Sequence, residues 1–153
     1  MATVNASVAA ARAALPQQLV KPSQQGADVQ VLVSTYAVPA GGVAVGDRIK
    51  WGQIPFGTRL MPSTRLYFSA GAASSTLNLG DVASQARYLA ATSVAAAGSA
   101  TAEAVYANGG LFEVAVVAPG QPTDQSELFS IVAGAALQAG QVITLVAQYA
   151  GQN

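Results

Sequence analysis

The chain has 153 residues, seven Lys plus Arg against seven Asp plus Glu, and neither histidine nor cysteine. Without those two residue types there is no disulfide framework, no thiolate or imidazole metal site, and no Ser-His-Asp or Cys-His catalysis. Only 9% of residues are charged, against about a quarter in an ordinary domain, and a neutral, weakly charged surface favours association over solitary existence.

A chain of this length suits one domain, which buries roughly two thirds of its unfolded surface. Residues 1–27 differ from the rest: they are rich in Ala, Gln and Ser and carry Pro16 and Pro22. Alanine propensity allows a short helix over Val8 to Leu15, which Pro16 ends, and a helix that short is marginal alone in water. The segment reads as an extended N-terminal arm that orders against a partner. Its apolar residues and one cation, Val4, Val8, Arg12, Leu15, Leu19 and Val20, are the candidate partner-binding residues. It lacks a cationic region ahead of a compact apolar run, so a secretory signal is not expected.

From Asp28 the pattern takes period two. Val29, Val31, Val33 and Thr35 alternate with Gln30, Leu32 and Ser34, which predicts a long strand. Val38 to Gly42 reads as a turn. Asp47 to Trp51 alternates again, with Ile49 and Trp51 on one face. Pro55-Phe56-Gly57 is a turn. Arg59 to Met61 and Arg65 to Phe68 are strand pieces split by Pro62, as at an edge or bulge. Ser75 to Leu79 follows, closed by Gly80-Asp81. Ala86 to Leu89 fits a helical turn or a strand, and Ala90 to Ala107 carries little pattern. Leu111 to Ala118, Leu128 to Ala133 and Gln141 to Tyr149 are further β runs.

Short strands with turn signals at this spacing predict an all-β fold, an antiparallel β-sandwich or jelly-roll-like barrel over 28–153, with 1–27 as the arm. No amphipathic helices alternate with the strands, which disfavours a parallel α/β sheet.

The carboxylates Asp28, Asp47, Asp81, Glu103, Glu113, Asp124 and Glu127 are scattered. The first three stand at turn positions, where Asp bonds its own backbone. Gly41 to Gly46 lacks the Gly-Lys-Ser/Thr ending of a phosphate loop and reads as a β connection. Asn5-Ala6-Ser7 is a chance glycosylation match. Trp51, Phe68 and Phe129 are expected in the core. Lys50-Trp51 and Arg65-Leu66-Tyr67 are the candidate sugar- or base-stacking pairs, with cross-strand packing as the plainer role. No basic stripe and no run of about 18–20 apolar residues is present, so neither nucleic acid nor membrane is an expected partner. No cofactor and no enzymatic activity are expected.

Three stretches carry a family resemblance: Tyr36-Ala37-Val38-Pro39-Ala40-Gly41-Gly42-Val43-Ala44-Val45-Gly46-Asp47, then Ile54-Pro55-Phe56-Gly57-Thr58-Arg59-Leu60, then Leu77-Asn78-Leu79-Gly80-Asp81 with Arg87-Tyr88-Leu89-Ala90-Ala91. Together they resemble small virion structural proteins of tailed bacteriophages, of the capsid decoration (cement) kind, over roughly residues 28–105. The resemblance implies a non-enzymatic, homo-oligomeric subunit, with a trimer the expected order. It would be made in the host cytoplasm and bind major capsid proteins on the outside of the head. A minor head, head-fibre or tail component and a carbohydrate-binding module are the alternatives.

Overall fold

The computed structural model describes residues 28–55, 57–82, 84–103 and 125–151. In these, nine strands follow one another: β1 (Asp28–Ala37), β2 (Arg48–Pro55), β3 (Arg59–Leu60), β4 (Arg65–Phe68), β5 (Thr76–Leu79), β6 (Leu89–Ser93), β7 (Gly98–Thr101), β8 (Gln125–Ala133) and β9 (Val142–Gly151). They form two antiparallel sheets that pack face to face as a sandwich, not as a closed barrel.

The first sheet has the order β1-β9-β4-β7, with β3 also on β9. β-Branched residues at alternate positions suit the pleated backbone of β1. It pairs along its whole length with β9, from Asp28 opposite Gly151 to Ala37 opposite Val142. Asp28 is therefore a strand residue, not the turn residue its sequence context suggests. β3 and β4 share the other side of β9, at Tyr149–Ala150 and Ile143–Val146. Pro62 falls between them, where its missing N–H costs no ladder bond.

The second sheet has the order β2-β8-β5-β6. A register shift between Lys50 and Gly52 makes Trp51 an extra residue in β2. The bulge lets Trp51 turn inward beside Ile49, as a bulge re-aims a side chain. Its indole Nε1 donates to Ser130 Oγ at 2.8 Å, so the buried ring leaves no donor unpaired. Leu32 of β1 packs over Gly52 across the interior.

The core lies between the sheets. Leu60, Leu66, Phe68, Ile143, Leu145 and Ala147 from the first meet Ile49, Trp51, Ile54, Leu77, Leu79, Leu128 and Val132 from the second. Full burial of each such Leu or Ile contributes about 1.5–3 kcal/mol. Phe129 is buried but lies outside this cluster. It faces outward on β8, where the Arg48 guanidinium covers its ring at 4.7 Å from the centroid. Phe129 is thus buried as the sequence expects, at 1% exposed, on the side of β8 opposite the inward Leu128, Ser130 and Val132.

The stretch from Ala90 to Ala107, which shows little pattern, holds all of β6 but its first residue and all of β7, and its residues 104–107 lie outside the described ones. The small residues of β6 and β7 form strands because β5 and β4 offer open ladders to pair with. Leu111 to Ala118 and the arm over 1–27 lie outside the described residues.

One end of the sandwich is closed by backbone hydrogen bonds among its connections. Val38 N donates to Gln141 O at 2.8 Å, Leu137 N to Val43 O at 2.9 Å, and Val94 N to Ser75 O at 2.9 Å. Gln141 is 2% exposed, and its Nε2 donates to Ser69 O and Val94 O, tying the two sheets together. Gly41 to Gly46 is part of this end: Gly42 N donates to Pro39 O at 2.8 Å, as a plain turn does.

Candidate interaction surface

Three of the described carboxylates, Asp47, Asp81 and Glu127, are engaged within the fold. Asp47 Oδ2 accepts from Ala44 N at 3.1 Å, the turn role expected of it. Glu127 pairs with Lys50 at 3.2 Å. Asp81 is fully buried. Its Oδ1 accepts from Ser84 N at 3.0 Å, while Oδ2 accepts from Tyr88 Oη at 2.6 Å and faces Arg87 Nε at 3.3 Å. The Gly80-Asp81 and Arg87-Tyr88 motifs are thus two halves of one node. The loop folds so tightly over Gly80 that a Cβ there would lie 2.2 Å from the Gln85 backbone. Sequence reasoning finds the turn at Asp81 but misses its burial, because Arg87 and Tyr88 become its partners only when β5 and β6 pair. Among the described residues no three acidic, His or Cys side chains converge as a metal site.

The outer face of the first sheet is different. Alternation along β1 sends Leu32 and Tyr36 inward and Val29, Val31 and Val33 outward, where they are 58%, 54% and 62% exposed. Register places Val33 beside Val146 and Thr35 beside Thr144, whose hydroxyls hydrogen-bond at 2.9 Å. Tyr67 of β4 lies opposite Thr144, and Val142 opposite Ala37, so both continue the same face. Five of the six large apolar side chains exposed among the described residues are on this face, Val45 being the sixth. An apolar patch gathered this way marks a contact surface, where scattered single residues would not.

β1 is also an edge. Among the described residues no strand pairs with its far side. Natural edges are blunted by Lys, Pro, a bulge or short length. From Val29 to Ala37 there is none of these: the strand is ten residues long and unbulged against β9. Its valine stripe is suited to a flat apolar partner.

The far end of the sandwich, opposite the closed connections, is where β1 begins and where β2, β7 and β9 run out. Gln125, the first residue of β8, lies there too, opposite Pro55. Thr58 Oγ1 donates to Pro55 O at 2.7 Å, and Gly151 lies against the Thr58 side chain. Arg59 follows on β3, opposite Ala150 and so on the outward side of the sheet. Its Nε and Nη2 are buried without a hydrogen-bond partner.

The six arm residues expected to bind a partner lie outside the described residues. Of the two stacking pairs, Trp51 is in the core and unavailable to a ligand. Tyr67 is 43% exposed with the Arg65 guanidinium 5.8 Å from its ring centroid, and it belongs to the valine face.

No family model and no curated protein matches the chain. The fold has counterparts among solved structures. A chain of the Cyanophage Pam1 capsid asymmetric unit is 20% identical with a TM-score of 0.61, covering 90% of this chain and 96% of that one. A chain of the capsid of Ralstonia phage GP4 is 18% identical with a TM-score of 0.61, covering 88% of this chain and 92% of that one. The resemblance over residues 28–105 to phage virion proteins is therefore met at the level of fold: the sandwich is one that phage capsid assemblies contain.

Proposed function

We propose that the protein is a non-enzymatic structural subunit of a phage virion, a decoration protein that attaches to the outside of the head and braces contacts between major capsid proteins. The observation that carries this is the exposed valine face on β1, a strand with no partner on its far side among the described residues; an apolar face of this kind suits a protein partner. The capsid neighbours of the same fold point to that partner. Apolar burial contributes roughly 25 cal/mol per Å², and many copies on a symmetric shell add avidity through effective concentration. The domain begins at Asp28, and the arm before it, with Val4, Val8, Arg12, Leu15, Leu19 and Val20, reaches the neighbouring subunit of a trimer. About 25 extended residues span up to ~80–90 Å.

The test is the number of copies in purified particles, with their heat-release profile. Decoration requires hundreds of copies and particles that release DNA at lower temperature without the protein. A handful of copies indicates a minor head or tail component, and none overturns the proposal. Val31→Lys places a charge in the middle of the face and should abolish attachment while the free protein stays folded. A chain deleted for residues 1–27 should attach poorly; unchanged occupancy removes the arm from the account.

A further inference from the structure

We propose that Arg65 and Tyr67 of β4 form the anchor of the contact face, and that the protein surface docking there presents a carboxylate to Arg65 within an otherwise apolar area. This deepens the attachment reading and rests on it.

β4 alternates, with Leu66 and Phe68 in the core and Arg65 and Tyr67 exposed. Register sets Tyr67 between Thr144 and Ser99, and Arg65 between Val146 and Thr101. Thr144 and Val146 in turn face Thr35 and Val33, so the pair stands on the same outward side as the valines of β1. Tyr67 is 43% exposed, and the Arg65 guanidinium lies 5.8 Å from its ring centroid. The ring braces the arginine, which itself remains exposed. An aromatic and an arginine held this way lose little side-chain freedom on binding, and Tyr and Arg are enriched at the energetic centres of protein contacts.

Charge selects the occupant. At the outward positions of β1, β9, β4 and β7, Arg65 is the one formal charge among the described residues, and the others are Val, Thr, Ser, Ala, Gln and Tyr. Asp28, at the start of β1, falls in the alternation with Leu32 and Tyr36. A partner that covers the face takes Arg65 out of water, and a guanidinium so buried is costly until it regains an acceptor. The face offers it no carboxylate. A second copy docked through the same side would bring another arginine and no acid. The occupant that fits is a different protein, apolar against the valines and acidic against Arg65, where a carboxylate accepts two parallel N–H bonds from the guanidinium. The valines supply area, while Arg65 and Tyr67 supply register and choice of partner.

The experiment adds full-length protein to particles of the parent phage assembled without this chain. It compares wild type with Arg65→Met, Arg65→Glu, Tyr67→Ala and Val31→Lys at low and high salt. All three positions are exposed, so the free variants should melt close to wild type. Arg65→Met and Tyr67→Ala should each raise the half-saturating concentration roughly thirtyfold or more. Arg65→Glu should abolish binding, since it sets like charges together. Wild type should weaken with added salt more than Arg65→Met does, a response that a merely structural role would not move. Wild-type occupancy and salt response in Arg65→Met, with Val31→Lys still deficient, overturn the inference alone. Failure of wild type to bind, or full binding by Val31→Lys, overturns the attachment reading with it. A wild-type oligomer in solution that Arg65→Glu dissociates makes a second copy the occupant, and overturns the inference too.

Discussion

The two sheets share one core but treat their outer faces in opposite ways. On the second sheet outward positions are paired: Arg48 lies over Phe129 and Lys50 pairs with Glu127, while the buried Asp81 node pins the loop between β5 and β6. On the first sheet the outward valines of β1 are exposed, and among the described residues no strand pairs with the edge beside them. Since apolar residues in both places sit in the same fold, the difference lies in what the neighbouring strands contribute. The second face is built to meet water. The first exposes a gathered apolar area of the kind that marks contact surfaces.

That contrast can be broken most forcefully at Asp81. Replacing it with Ala strands Tyr88 Oη and the Arg87 guanidinium beside a void, and should destabilise the isolated protein by about 3–5 kcal/mol in urea denaturation. A loss below about 1 kcal/mol would mean the loop is held by Gly80 packing alone. Next comes Arg48→Ala, which uncovers Phe129. It should lower stability by about 0.5–1 kcal/mol, the scale of an exposed cation–π contact, and raise binding of an apolar dye at that face. The smallest effect is expected on the first sheet. Val31→Thr with Val33→Thr keeps the branched shape and should leave stability within about 0.5 kcal/mol of wild type. The same pair should still weaken attachment to particles, because it makes the contact face polar. A large loss of stability in the free protein would show that the face is covered within the chain itself, and the contrast would dissolve.

How much of this is legible in the sequence varies by residue. β1 is plain from alternation, and β8 and β9 are legible as β runs, as are the turn at Gly41–Gly46 and the break at Pro62. β6 and β7 are not, since Ala, Ser and Gly have weak strand preference and become strands through their neighbours' free hydrogen-bonding groups. Trp51 is foreseeable as core, but the bulge that points it inward is not. Arg59 is visible as part of an x-Pro-x-Gly-x-Arg stretch. That its Nε and Nη2 are buried follows from where β3 docks against β9.

The sequence by itself determined the class of fold, the absence of imidazole and thiol chemistry, and the thinness of charge that makes association favourable. It also set the period of β1, which divides that strand into a valine side and a Leu32–Tyr36 side. A period of two states that there are two sides without saying which is inside. Only the tertiary structure decided that. In the β1–β9 register, Leu32, Ser34 and Tyr36 stand opposite Ala147, Leu145 and Ile143, the residues that β9 buries in the core. The most regular apolar row in the chain is therefore turned outward, because β9 had already committed its own inward face.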